Sequence, residues 1–276
     1  MKDGFARAAT TYDAAAVLAR ETGRRLGERL DYTRLAPRRA ADIGCATGDG
    51  ARALKVRYPD ARILAIDYAT PMLAAVRLRE PLFRRLRGLA PDCVAADCRQ
   101  LPLADGCVDL VWSNLMLHWL DDPRPALAEM HRVLKVGGLL TFAVFGPDTV
   151  KEWRGVLGNS SGGRTAPRSF MDMHDWGDLL VGAGFGDPVM DRDDIALTYR
   201  SGRQLLADQR HLGVRDELFG RPAWRLVRRA IREWPRDTEG RLSLTFEIVF
   251  GQAWKVARRN AEGNVQTIAF HPRRER

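Results

Sequence analysis

Apolar positions near the start of the chain recur with helical spacing. Ala14, Leu18, Thr22, Leu26 and Leu30 mark one stripe, which predicts a helix over residues 5–30, with Pro37 ending the connection that follows. Short apolar runs come next, each bounded by glycine, proline or an acid: 39–43, 61–66 (ARILAI), 93–96, 108–113 (VDLVWS) and 139–145 (LLTFAVF). Runs of that length without polar alternation predict strands covered on both faces. Helical stretches separate them at 51–57, 70–79 and 123–135. Thr70 is the expected cap of the second, with Pro71 in its first turn. Asp121 or Asp122 is the expected cap of the third. Leu127, Met130, Val133 and Leu134 form its inward face, and Gly137-Gly138 its stop.

Beyond residue 146 the pattern loosens. Residues 155–168 are rich in Gly, Ser, Asn and Pro and read as a mobile loop. A helix is expected over 172–183, capped by Asp172 and stopped by Gly184. A strand follows at 194–199, then helix over 203–234 with breaks near Gly213 and Pro222, then a β-rich run at 242–254 (LSLTFEIVFGQAW). Strands alternating with helices at short intervals predict an α/β fold, a doubly wound, mostly parallel sheet with helices on both faces. One domain over 1–276 is expected, with a core at 38–146, an N-terminal cap at 1–37 and a helical insertion near 200–235, within 195–240.

Composition narrows the class without naming a function. Hydrophobic residues at 45% and charged residues at 29% exclude a disordered chain, a collagen-like repeat and a coiled coil. No apolar run approaches the ~18 residues of a membrane span. Asp3, Arg7, Arg20, Glu21, Arg24 and Arg25 interrupt any signal-peptide pattern, so a cytoplasmic protein is expected. Cys45, Cys93, Cys98 and Cys107 contain no CxxC pair, which argues for free thiols and no metal. The net charge of +9 rests on 39 Arg and only 5 Lys, scattered along the chain. That bias reads first as genome composition, and second as a field favouring acidic partners.

The polar residues that close the predicted strands carry the chemistry. Asp42-Ile43-Gly44-Cys45-Ala46-Thr47-Gly48 joins a strand to a helix, and its glycines let the backbone approach a ligand closely. Asp42 would repel a pyrophosphate and suits an ammonium-bearing ligand. Asp67, closing the next strand, is placed to take two ribose hydroxyls. Asp97, closing the third, suits an adenine amino group, with the Cys98 amide beside it, and Tyr68 and Met72 are candidates to sandwich the ring. Ligands in doubly wound sheets bind at these carboxyl ends.

As an ordered set, these features resemble the class I S-adenosylmethionine-dependent methyltransferases. FARAATTYD near the start, SNLMLHWLDDP at 113–123, FGPDTVKEW at 145–153, SFMDMHDWGDLLVGAGFGDPVMD at 169–191 and LTFEIVFGQAWK at 244–255 extend the resemblance to the malonyl-acyl-carrier-protein O-methyltransferases of early biotin synthesis. The resemblance implies a Rossmann-like seven-stranded sheet. It also implies S-adenosylmethionine as cofactor and methylation of the free carboxylate of a malonyl thioester on acyl carrier protein. Neither a membrane nor a nucleic-acid partner is expected. Asn114 is expected at the methionine end of the cofactor. Tyr12 is expected to cap the pocket, and His118 to meet the acceptor carboxyl or orient the cofactor. Trp119, Phe170 and Trp176 are expected along the acyl or pantetheine wall. Ala46 stands where such loops carry glycine; a positive φ there costs about 1 kcal/mol or more. A small-molecule acceptor, or a cofactor-binding assembly factor or hydroxylase, are the competing readings.

Overall fold

The alternation resolves, in a computed structural model, into one seven-stranded sheet; the structure describes residues 2–157 and 167–257. The strands are β1 (Arg39–Ile43), β2 (Arg62–Asp67), β3 (Asp92–Ala95), β4 (Val108–Asn114), β5 (Leu134–Phe145), β6 (Gly186–Tyr199) and β7 (Leu242–Trp254). Their order is β3-β2-β1-β4-β5-β7-β6. The first five are parallel, and β7 runs antiparallel to both β5 and β6. The strand order reverses between β1 and β4, and the crevice at that switch is where such a sheet binds ligands.

Twelve helices lie among the described residues. The N-terminal segment holds α1 (Lys2–Ala8), α2 (Tyr12–Ala15) and α3 (Val17–Arg29). Between strands lie α4 (Asp49–Arg57), α5 (Thr70–Arg79), α6 (Leu82–Leu86) and α7 (Arg124–Val133), then α8 (Lys151–Leu157) and α9 (Met173–Gly182). The insertion holds α10 (Gly202–His211), α11 (Arg215–Phe219) and α12 (Trp224–Glu233). None of the described helices is long and apolar enough to cross a membrane.

Alternation along the central strands sorts the core. Leu110 and Trp112 face one layer with Leu18, Leu26, Leu54 and Trp153, whereas Val111 faces the other with Leu127, Met130, Phe142 and Trp176; a register irregularity between Val108 and Leu110 turns Val108 to that second layer as well. Asp42 pairs with Trp112 in register, and so lies on the face covered by α3 and α4. That single fact places a carboxylate in the interior.

The structure departs from the sequence expectations in several places. The expected first helix is broken into three, and Ala14 is exposed while Ala15 and Ala16 are buried. Thr70 is the first residue of α5 rather than its cap; Ala69 caps the helix, and its amide is bound by Asp67. Gly137-Gly138 does not stop α7, which ends at Val133; the pair lies inside β5, with Gly137 at φ 80°. Pro123 precedes α7, and Asp122 accepts from the Arg124 amide. β6 begins at Gly186, eight residues before the expected start, because Asp191, Arg192, Asp193 and Asp194 disguise a charged edge strand. Asp172 and Gly184 act as expected, the first accepting from His174 and Asp175 amides and the second at φ 90°. Of the expected loop at 155–168, residues 155–157 end α8 and 158–166 lie outside the described residues.

Gly251 on β7 sits directly opposite Phe142 on β5, and an added Cβ would lie 2.3 Å from the ring. Gly251→Ala is therefore expected to destabilise the protein by about 1–3 kcal/mol. Combining it with Phe142→Leu should cost less than the two losses added together. Denaturant midpoints of the three variants check this; simple additivity would contradict it.

Candidate active site

Two cavities, of about 460 and 420 Å³, open at the carboxyl ends of β1 and β4 and share Tyr12, Gly44, Ala46 and Asn114 as lining. The larger is framed by α3 and α4, with Asp42, Trp112, Arg20 and Asp49 in its wall. The other reaches Asp67, Tyr68, Met72, Asp97 and Cys98 on one side and Phe5, Trp119, Asp121 and Arg168 on the other. A third, apolar cavity of about 40 Å³ lies among Phe5, Tyr12, Trp119, Leu212, Leu218 and Phe246.

The loop after β1 is held from below by Asp67. Its carboxylate accepts from the Ala46 amide at 3.0 Å and from the Ala69 amide at 2.8 Å, tying the loop to the entry of α5. Gly44 and Gly48 adopt φ 78° and 86°, and a Cβ on Gly44 would lie 2.3 Å from the Met116 side chain. Ala46 has φ 45°, so the alanine carries the backbone cost that the positive-φ case predicts. Cys45 is buried and donates its amide to Ile66 O at 3.0 Å.

Asp42 is 2% exposed, and its Oδ2 has no hydrogen-bond partner among the described residues. Burial pushes its carboxyl up to about 7, against a backbone hydrogen bond from Ala51 and with reinforcement from Asp67 and Asp49. Gly50 makes room for it: a Cβ there would meet Asp42 Oδ2 at 2.6 Å. Trp112 Nε1 and Asn114 Oδ1, also buried, lack partners too, so three polar atoms at this end of the sheet await a ligand or water. Asn114 Nδ2 donates to Ala19 O of α3 at 2.8 Å.

The N-terminal segment closes over this loop through contacts that the sequence reading did not find. Thr47 Oγ1 donates to Asp13 at 2.6 Å, and Arg79 pairs with the same carboxylate. Thr11 Oγ1 donates to His211 O at 3.1 Å, joining α2 to α10. Tyr12 is thereby brought to the junction of all three cavities. Burial, then Asp67, Asp49 and Asp42, hold its hydroxyl far above the ordinary tyrosine range, so it remains a neutral phenol. The Tyr-Asp pair immediately before the apolar helical stripe that begins at Ala14 was the available signal for Asp13.

Other candidates fall differently. Met72 is fully buried beside Ala69, with Tyr68 and Tyr12 packed on the same cluster. Asp97 faces the cavity, but Arg99 already binds its carboxylate through Nε and Nη2 and holds it below the usual range. Burial pushes the Cys98 thiol up to about 12, so it is not a nucleophile. His118 lines none of these cavities. It is buried, stacks on Phe145 at 4.1 Å, and its Nδ1 accepts from the Phe145 amide at 3.1 Å. Burial depresses its pKa well below the usual value, and the imidazole stays neutral inside an aromatic layer. It therefore lies behind the lining of these cavities rather than in it. Phe170 lies in that layer behind Trp119, at 6.1 Å. Trp176 is fully buried against Phe142 in the opposite core layer, and so forms no wall of the site. Of the three expected wall residues, only Trp119 lines a cavity.

Residues 41–142 match a family profile described as "Methyltransferase domain". A malonyl-acyl-carrier-protein O-methyltransferase of Laribacter hongkongensis is 45% identical, over 99% of this chain and 95% of its own. One of Gallionella capsiferriformans is 42% identical over 95% of this chain and 93% of its own. Solved structures share the fold at lower identity. The YcgJ protein from Bacillus subtilis superposes with a TM-score of 0.59 at 16% identity, over 84% of this chain and 98% of that one. The cyclase SpnF does so with a TM-score of 0.54 at 21% identity, over 85% of this chain and 82% of that one. Architecture at that distance does not select a reaction.

Two predictions follow from the loop and its acid. Ala46→Gly should raise the unfolding free energy by about 0.5–1 kcal/mol, since relief of the left-handed strain exceeds the added chain entropy; a loss of stability would contradict the strain. The folded-state pKa of Asp42 lies above its unfolded value, so the native state holds a proton the unfolded chain has lost. Stability from this group is present below about pH 4 and is lost as pH climbs through about 7. Asp42→Asn should therefore gain stability relative to the parent between about pH 5 and about pH 8, by a few kcal/mol. Denaturation at both pH values reads the difference; a pH-independent gap would contradict it.

Proposed function

Since the chain belongs to the family of malonyl-acyl-carrier-protein O-methyltransferases, we propose that its joined cavities methylate the free carboxylate of a malonyl thioester carried on acyl carrier protein, using S-adenosylmethionine. The observation that carries this reading is the unpartnered, buried Asp42 oxygen in the wall of the larger cavity, beside the lining that the two cavities share. A carboxylate kept out of water is costly unless a cation reaches it. The amino acid end of the cofactor offers that cation. Asp42 would hold its ammonium, with the amide oxygen of Asn114 accepting from that same ammonium, and Arg20 in the same cavity would face its carboxylate. Asp67, Tyr68 and Met72 would hold the adenosine end, with Cys98 at its margin.

When bound, the cofactor supplies an electrophilic methyl group on a sulfonium. The residues around it position and exclude water rather than move protons. A malonyl carboxylate is ionised near neutral pH and needs no base. Consistently, none of the described residues lining these cavities is a histidine. Tyr12 is a neutral phenol, and Cys98 is a protonated thiol. Tyr12, Phe5 and Trp119 cover the reacting end with apolar surface, which shields it from water and fixes approach. A high-pKa hydroxyl acceptor would find only carboxylates as bases among these described lining residues, which favours an acceptor that is already ionised.

We read the chain as one methyltransferase unit. Residues 38–146 bind the cofactor, 1–37 cap it, and 195–240 contribute the substrate side through α10 and α11. We read the protein as acting in early biotin synthesis and in the cytoplasm, a compartment that its four free cysteines suit. Its excess of +9 charge favours encounter with an acidic carrier.

The test is methyl transfer from labelled S-adenosylmethionine to malonyl-acyl carrier protein, with acetyl-acyl carrier protein as control. Intact mass should show one added methyl on the malonyl form alone. No gain on the malonyl carrier, with cofactor binding retained by calorimetry, would overturn the reading.

A further inference from the structure

The cavity that the acceptor would enter carries an excess of acid. Among the described residues, Asp67, Asp97 and Asp121 line it, with Glu217 engaged in a contact of its own, and the cations of the lining are Arg99 and Arg168. A dianionic or monoanionic substrate is unwelcome in such a field unless one cation is reserved for it. Arg99 is not reserved, because Asp97 binds its Nε and Nη2 together and 58% of its side chain is exposed. Arg168 differs on both counts. Its side chain is 20% exposed, and its anionic neighbour Asp121 is 98% exposed, where water screens the pair. Its Nη2 donates to Leu120 O and to Asp121, both at 3.0 Å, so two bonds leave from one nitrogen of a five-donor fork. The backbone behind it is anchored, since Arg168 O accepts from Arg154 Nη2 at 2.7 Å. Its charge also reaches His118, where it helps to depress the imidazole.

We infer that Arg168 is the specificity-determining residue for the acceptor, holding one oxygen of the malonyl carboxylate and so separating malonyl from uncharged acyl thioesters. This rests on the reading of function above. Only one carboxylate oxygen is needed by Arg168. The other donates a lone pair to the methyl carbon as the bond from that carbon to sulfur breaks, leaving a neutral thioether and an ester. No proton moves, and the charge on the carboxylate is cancelled by the charge lost from sulfur. Arg168 thus loses its anionic partner on reaction, which favours release of the ester. Apolar contacts from Trp119 and Phe5 hold the rest of the acyl unit without discriminating charge.

The test compares the parent, Arg168→Gln and Arg168→Lys, each saturated with S-adenosylhomocysteine. Malonyl-pantetheine and acetyl-pantetheine are titrated by calorimetry, and kcat and KM are measured with malonyl-acyl carrier protein. Gln keeps a donor to Leu120 O but not the charge; Lys keeps the charge. The parent should prefer malonyl- over acetyl-pantetheine by on the order of tenfold or more, and that preference should shrink as salt is raised. Arg168→Gln should abolish the preference and raise KM more than it lowers kcat. Arg168→Lys should recover part of it. Unchanged preference in Arg168→Gln, or equal behaviour of the two variants, would overturn the inference, as would a salt-independent preference in the parent. If the parent shows an Arg168-dependent preference yet transfers no methyl, the carboxylate site stands and the proposed reaction falls.

Discussion

A carboxylate held in the interior at the end of β1 is the constraint around which the site is arranged. Asp42 is buried because strand alternation turns it to the α3 and α4 face, opposite Trp112 in register. Ionising it there is costly, and one backbone bond from Ala51 compensates only in part. Everything close by accommodates the group: Gly50 leaves it space, and the loop after β1 turns away through Gly44, Ala46 and Gly48, all at positive φ. In the proposed reading, a cationic ligand offsets that cost when bound.

Asp67 and Asp13 turn that local tension into a pocket. Asp67 spends both carboxylate oxygens on backbone amides, Ala46 in the loop and Ala69 at α5, and so ties the loop to the helix. Asp13 does the same from above, gripping Thr47 and Arg79 and laying Tyr12 across the opening. The insertion completes the enclosure where Gly4 and Gly213 meet, each leaving no room for a Cβ on the other. The reacting end is therefore walled by three segments far apart in sequence, and none of them forms it alone.

Legibility followed how local the cause was. The strands β1 and β7 and the helix α5 end where their apolar patterns end, because both faces are covered and the pattern has one interpretation. β6 was half hidden, since an exposed edge tolerates the charges that usually signal a loop. The acids that close strands were readable as site residues because a doubly wound sheet brings strand ends together. His118 and Trp176 were not separable from site residues by sequence, because burial depends on which side of the sheet a short turn or helix lands. The contacts of Asp13 with Thr47 and Arg79, and of Arg168 with Leu120 and Asp121, cross long chain separations, and no spacing pattern specifies those partners.

The central claim is that an ammonium group meets the ionised Asp42 carboxylate. Calorimetric titration of S-adenosylhomocysteine into the protein at about pH 7, repeated in buffers of different ionisation enthalpy, reads the protons released on binding. With the carboxyl poised at about 7 before binding, roughly half a proton should leave per ligand bound, and Asp42→Asn should release none by this route. Binding without proton release in the parent, or with equal release in Asp42→Asn, would contradict the account.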